Sequence, residues 1–258
     1  MYTTECGTRT ALRRGRAWLW EGLAVRRLQP ERMDDPTLDG ELHRQALGGL
    51  SRLNSLGGAA RLIWPGLRDL SKRLGRALRV LDIATGGGDV PLALWRIARR
   101  QRLQIEFAGC DVSSRAIHFA QAQADSAAAP LKFFQHDALG QTLPTGYDAV
   151  ICSLFLHHLQ CEQASELLRR MADAGGSLLI VSDLLRSRSN WLLTYLASRT
   201  LTRSPVVHAD GPMSMEAAFN LQEVRQLVVE AGLVGATLRR AWPCRFILEW
   251  NRPRIELV

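Results

Sequence analysis

From Leu78 onward the chain alternates short apolar runs with stretches in which apolar residues recur every three or four positions. The runs predict strands over 78–84, 104–110, 131–135, 147–153 and 176–183, and the helical spacing predicts helices over 89–100, 114–127 and 161–173. Alternation of this kind builds parallel strands joined by crossover helices. Upstream, Leu42, Ala46, Leu50, Leu53 and Leu56 fall at helical spacing, Gly57 and Gly58 punctuate, and Leu62, Ile63, Leu67, Leu70 and Leu74 continue, so residues 31–75 read as helices. Downstream comes an insertion, N-W-L-L-T-Y-L-A-S-R-T-L-T, then the expected loop R-S-P-V-V-H-A-D-G-P and a helix over 221–231. Two β-like runs, 233–241 and 244–250, are joined by Trp242 and Pro243. A link this short makes a hairpin, so the parallel sheet should end on an antiparallel strand.

Three chemistry-bearing stretches stand where predicted strands end, the edge at which open α/β sheets bind ligands. The first strand runs into R-V-L-D-I-A-T-G-G-G-D-V, which offers Asp82 and then Ala84, Gly86, Gly87 and Gly88. Glycines let backbone amides approach a ligand and adopt positive φ. The second strand ends in G-C-D-V-S, where Asp111 can accept hydrogen bonds from both hydroxyls of a ribose and Val112 follows. After the third strand, Q-H-D-A-L places Asp137 beside Ala138 and Leu139, a polar group in an apolar slot suited to an adenine. Ser153 closes the fourth strand.

Taken in order, these stretches resemble the class I S-adenosylmethionine (SAM)-dependent methyltransferases. That family's first motif is D-x-G-x-G-x-G; here Ala84 replaces its first glycine. Y-D-A-V-I-C-S-L-F-L-H-H-L, 147–159, is similar to the family's fourth-strand motif. The resemblance implies a Rossmann-like α/β fold: seven strands, mostly parallel with an antiparallel last strand, helices on both faces and an N-terminal helical cap. It implies SAM as cofactor, with Asp82 and the loop 84–88 around the methionine part, Asp111 on the ribose, Val112 against the adenine and Asp137 on its amino group. The expected organisation is a basic arm over 1–30, a helical cap over 31–77 and a SAM-binding domain over 78–258 with a lid-like insertion near 186–220.

The segments S-L-F-L-H-H-L and T-R-S-P-V-V-H-A-D-G-P further resemble bacterial methyltransferases associated with type III polyketide synthases and with quinone biosynthesis. That likeness implies O-methylation of a hydroxylated aromatic lipid or polyketide (a phenol, quinol or pyrone) in secondary metabolism, with C-methylation of a quinone-type acceptor as the alternative. If the acceptor must lose a proton, His157, His158 and His208 are the candidate bases, since histidine titrates near neutral pH. Asp183, ending the fifth strand, either faces the acceptor or caps a loop. Residues 191–201 carry one charge among eleven and read either as a core helix or as the wall of an apolar acceptor tunnel.

Two rival classes stay open. A nicotinamide-dependent oxidoreductase also needs a glycine loop, but G-x-G-x-x-G begun at Gly86 requires glycine where Pro91 stands. A non-catalytic SAM-binding protein would keep the same contacts.

Composition narrows the setting. Of 258 residues, 47% are hydrophobic and 22% charged, ordinary for a globular chain. The formal charge of +8 is carried by arginine, for Lys72 and Lys132 are the only lysines. No nucleic-acid-binding signature accompanies it, so no nucleic-acid partner is expected; an anionic membrane surface suits it better. Residues 9–28 place Leu12, Leu19 and Leu23 on one helical face, where Arg16, Arg26 and Arg27 intrude. A basic arm and a membrane-lying helix both fit. No run reaches the ~20 apolar residues of a membrane span. Cys6, Cys110, Cys152, Cys161 and Cys244 never form C-x-x-C, which argues against disulfides and a zinc site. The expectation is a cytoplasmic enzyme, peripheral at the inner membrane face if it touches a membrane, with no metal and with a small aromatic or lipid-like acceptor; the sequence leaves its oligomeric state open.

Overall fold

A computed structural model of the chain describes residues 23–35 and 37–253. Most of the predicted basic arm, residues 1–22, lies outside the described residues.

Seven strands form one sheet: β1 (Leu78–Ile83), β2 (Ile105–Asp111), β3 (Lys132–Gln135), β4 (Tyr147–Ser153), β5 (Gly175–Leu184), β6 (Thr237–Ala241) and β7 (Arg245–Asn251), in the order β3-β2-β1-β4-β5-β7-β6. β1 to β5 are parallel; β7 runs antiparallel to both β5 and β6. Strand order reverses between β1 and β4, and the tips on either side of that point are where such sheets bind ligands.

Successive strand residues face opposite sides, so the apolar runs supply two cores at once. Leu78, Val80, Ala149, Ile151, Leu178 and Ile180 pack beneath α2 (Ala59–Leu74) and α3 (Asp89–Arg100). Leu81, Ile83, Val150, Cys152, Leu179 and Val181 pack beneath α5 (Cys161–Ala174) and α8 (Leu221–Glu230). Cys110 and Cys152 are fully buried here, as small hydrophobes. Between lie α1 (Gly40–Gly57), before α2, and α4 (Ser114–Ser126), linking β2 to β3.

One expectation is corrected. The stretch expected as a loop after the insertion is helical: α6 (Arg188–Leu201) is followed by α7 (Pro205–Ala217). Ser204 caps α7 by accepting from the Val207 amide, and Pro205 occupies the first turn, where its missing N–H costs nothing. Gly211 of α7 faces α6, where a Cβ would meet Ser198 at 3.4 Å, an ordinary contact.

The described end of the basic arm is tied to the body. Arg26 Nη2 donates to the His157 carbonyl at 2.8 Å, and its guanidinium lies 3.8 Å over the Phe219 ring. The Arg27 amide donates to the Glu216 carbonyl at 3.0 Å, and Arg186 Nε donates to the Leu23 carbonyl at 3.1 Å. These contacts carry residues 23–33 across the tips of β4 and β5. No helix among the described residues is long and apolar enough to cross a membrane.

Candidate active site

The β1 tip is built around a buried carboxylate. Asp82 is 2% exposed; its Oδ2 accepts from Thr85 Oγ1 at 2.6 Å, while Oδ1 is buried with no hydrogen-bond partner. Burial, together with the nearby Asp89 and Asp111, pushes its pKa up to about 8. The chain then turns on Ala84, Gly86 and Gly88, with φ of 52°, 53° and 72°. Ala84 therefore stands in left-handed backbone that costs an L-residue roughly 1–2 kcal/mol. Glycine at 88 is required by packing as well, since a Cβ would meet Phe133 at 2.7 Å and Ala120 at 2.8 Å. A Cβ on Gly86 would meet open space. Gly87 faces Phe119 and, from α1, Leu47, so α1 reaches this loop.

Asp111 is joined to the same turn. Its Oδ2 accepts from the Gly86 amide and its Oδ1 from the Ser113 amide, both at 2.9 Å. Val112 beside it is 64% exposed, a large apolar side chain turned outward. The His136 amide donates to the Asp111 carbonyl at 2.9 Å, which draws in the β3 tip. There the Asp137 carboxylate folds back on its own turn, accepting through Oδ1 from the Leu139 and Gly140 amides at 2.9 and 3.0 Å. Those bonds lower its pKa. Ala138 is packed into the α5-side core. Ser153 Oγ, at the β4 tip, is buried without a partner. Asp82, Asp111 and the loop thus converge, and Asp137 stands beside them with one oxygen committed.

Across the β4 and β5 tips lies a cavity of about 360 Å³ with a mostly apolar wall that includes Met33, Leu53, Leu184, Leu193, Ala197 and Val207. Its polar side holds Glu31, His157, His158, Asp210 and Arg245. His157 and His158 come from a short 3₁₀ turn after β4. His157 Nδ1 is 2.6 Å from Asp183 Oδ1, at the end of β5. Asp183 Oδ2 accepts from the Phe155 amide at 3.0 Å, so this carboxylate both caps the loop and orients the histidine. On the other side, His157 Nε2 faces Glu31 Oε1 at 3.7 Å, and His158 Nε2 faces Glu31 Oε2 at 4.0 Å. Burial alone would lower the His157 pKa, but Asp183 and Glu31 outweigh it and push it up to about 10. Burial opposes ionisation of Asp183 and Glu31 too, yet the imidazolium between them keeps both below the ordinary carboxylate range.

Sequence patterns missed Glu31 and Arg245. Glu31 gains its place only because the Asp210 carboxylate accepts from the Arg32 and Met33 amides, both at 3.1 Å, and Ser214 Oγ donates to Glu31 Oε1. Arg245 is 4% exposed; burial lowers its pKa against the pull of Asp183 and Asp89. His208 lies apart from these groups. On α7 its Nε2 is 3.0 Å from the Thr202 carbonyl, and it is not among the cavity's lining residues.

Residues 80–175 match the family described as a methyltransferase domain. The chain carries a methyltransferase domain. No curated protein matches the sequence. Among solved structures the methyltransferase domain and its surroundings are similar to the SAM-dependent methyltransferase SibL in its apo form, at 20% identity and a TM-score of 0.60, over 85% of this chain and 60% of that one. They are similar to NcsB1, an O-methyltransferase of neocarzinostatin biosynthesis solved with SAM and 2-hydroxy-5-methyl naphthoic acid, at 19% identity and 0.59, over 85% and 60%. The magnesium protoporphyrin IX methyltransferase of Synechocystis PCC 6803, solved with bound SAM, shares 17% identity at 0.51, over 86% and 88%. The chain spans about 60% of the length of SibL and NcsB1. These likenesses establish the class I SAM-dependent methyltransferase fold, with its seven-stranded mixed sheet.

Proposed function

We propose that the protein is a SAM-dependent methyltransferase that O-methylates a hydroxyl on an apolar aromatic or lipid-like acceptor, such as a phenol, quinol or pyrone. The observation that carries this reading is the adjacency of two unlike sites at neighbouring strand tips. One is the glycine turn joined to Asp82 and Asp111; the other is the apolar cavity backed by Glu31, His157 and Asp183.

The first site suits SAM. The buried Oδ1 of Asp82 and Oγ of Ser153 lack partners that a ligand can supply, and Gly86 leaves its surroundings open. Asp111 retains lone pairs for ribose hydroxyls, Val112 offers an apolar face to the adenine, and Asp137 keeps Oδ2 for its amino group. When bound, SAM supplies a methyl already activated as a sulfonium.

The chain must then position the acceptor, exclude water and dispose of one proton. Two carboxylates around one imidazolium carry a net single negative charge, so the array can take the hydroxyl proton, which lands on Glu31 at the cavity wall. His158 orients the hydroxyl, and the apolar wall selects the body of the acceptor, in keeping with the naphthoic acid held by NcsB1. Leu192 and Leu196, 47% and 50% exposed near Arg199 on α6, suit uptake of a lipid-like acceptor at an anionic membrane face. Vesicle co-sedimentation lost on Leu192→Asp would support that last step; no sedimentation of the native chain would remove it.

The test has two arms. Calorimetry with S-adenosylhomocysteine should show binding. Incubation with methyl-labelled SAM and long-chain phenols, quinols and pyrones should give a product heavier by one labelled methyl on oxygen. No binding heat would overturn the reading; binding without transfer to any of these acceptors would leave a SAM-binding protein.

A further inference from the structure

Glu31, His157 and His158 each present a donor atom to the same small space, and these atoms all lie within 4.8 Å of one another. We propose that the three side chains form a binding site for a divalent transition-metal cation of the zinc, iron or cobalt class, open to the cavity. Two imidazole nitrogens with one carboxylate form a donor set such cations accept, whereas magnesium and calcium favour oxygen throughout. Bonds of about 2.1 Å place donors roughly 3.0–3.4 Å apart. The separations from Glu31, 3.7 Å to His157 Nε2 and 4.0 Å to His158 Nε2, need only modest contraction around an ion.

The surroundings are those of a built metal site. His157 turns Nε2 toward the space because its Nδ1 is engaged by Asp183 at 2.6 Å, the carboxylate–histidine–metal arrangement that fixes a ligand's tautomer. Asp183 is itself held by the Phe155 and Leu184 amides, at 3.0 and 2.6 Å. Ser214 steadies Glu31, and Arg26 pins the carbonyl of His157. With both imidazoles neutral, Glu31 and Asp183 balance the two charges of the cation, which displaces the proton otherwise lying between His157 and Glu31. Three protein donors leave positions open to the cavity, where water or an oxygen of the acceptor completes the shell. Sequence spacing could not reveal the site, since its carboxylate and its histidines meet only through the fold. Binding of the cation does not depend on the methyltransferase reading. Only its consequence, polarisation of the acceptor hydroxyl, rests on that reading.

The experiment titrates cobalt(II) into the full chain, freed of metal by a chelator and carrying no added histidine tract, without SAM or acceptor. One equivalent should bind and give visible d–d bands, which stoichiometric zinc(II) erases. His158→Ala and Glu31→Gln should each weaken binding by about tenfold or more. The metal-free melting temperature should stay near that of the native chain for His158→Ala and fall for Glu31→Gln, which leaves the buried His157 imidazolium with one carboxylate fewer. Asp183→Asn, acting through His157, should weaken it by about 10- to 100-fold. Absence of bands at millimolar cobalt, or unchanged affinity in both His158→Ala and Glu31→Gln, would overturn the proposal. Either result leaves S-adenosylhomocysteine calorimetry to judge the methyltransferase reading separately.

Discussion

His157 Nδ1 and Asp183 Oδ1 stand 2.6 Å apart in a pocket that leaves the two side chains 4% and 1% exposed. Removing one partner of such a pair strands the other charge in a dry site, at a cost of about 3–5 kcal/mol. Asp183→Asn should therefore lower the melting temperature, and kcat/KM should fall by about 10²-fold or more as the array loses its capacity for a proton. S-adenosylhomocysteine affinity, read by calorimetry, should change little.

The same array sets two pH limits. The His157 pKa is raised from 6.5 to about 10, so its contribution to stability is complete below about 6.5 and is lost as pH climbs through about 10. Glu31 and Asp183 are shifted down, so theirs is complete above the ordinary carboxylate range and is lost on acidification. The array's share, read as the melting-temperature difference between the native protein and Asp183→Asn, should hold steady up to about pH 6.5 and shrink as pH climbs toward 10. An identical alkaline limb in both proteins would contradict this.

Asp82 behaves in the opposite sense. Burial lifts its pKa to about 8, so the folded state holds a proton that the unfolded chain releases near 3.8. Stability then declines as pH rises between those values. Asp82→Asn keeps the acceptor for Thr85 and cannot ionise; its melting temperature should exceed the native one near pH 8 while its affinity for SAM falls. Overlapping melting curves would argue against a protonated Asp82.

Two substitutions in the turn should part in sign. Gly88→Ala forces a Cβ against Phe133 and Ala120 at positive φ and should destabilise by about 2 kcal/mol or more. Ala84→Gly relieves a left-handed alanine, partly offset by the freer unfolded chain, and should stabilise by up to about 1 kcal/mol. Denaturant midpoints measure both.

Ala197→Phe fills the cavity from α6 without touching the glycine turn. KM for a long-chain phenol should rise about tenfold or more, with S-adenosylhomocysteine affinity unchanged. Equal kinetics with the native enzyme would place the acceptor elsewhere.

The sheet was legible because each strand is a dense apolar run and each crossover keeps helical spacing; β1, β4 and α3 begin at the expected residues. The carboxylates at the β1 and β2 tips were legible because chemistry at a strand end is a local signal. Helix α7 was not, since Gly211 and Pro212 carry loop chemistry yet both stand inside the helix. The Ser204–Pro205 cap was the available clue. Glu31 and Arg245 had none, because each acquires its neighbours through contacts distant in sequence.

The hollow beside His157 is bounded by Glu31 near one end of the sequence and Arg245 near the other. A chain emerging from the ribosome can assemble its glycine turn early, but it owns no finished reaction chamber until β7 has arrived. A chain cut before β7 would keep the residues of the glycine turn and lack this wall of the hollow.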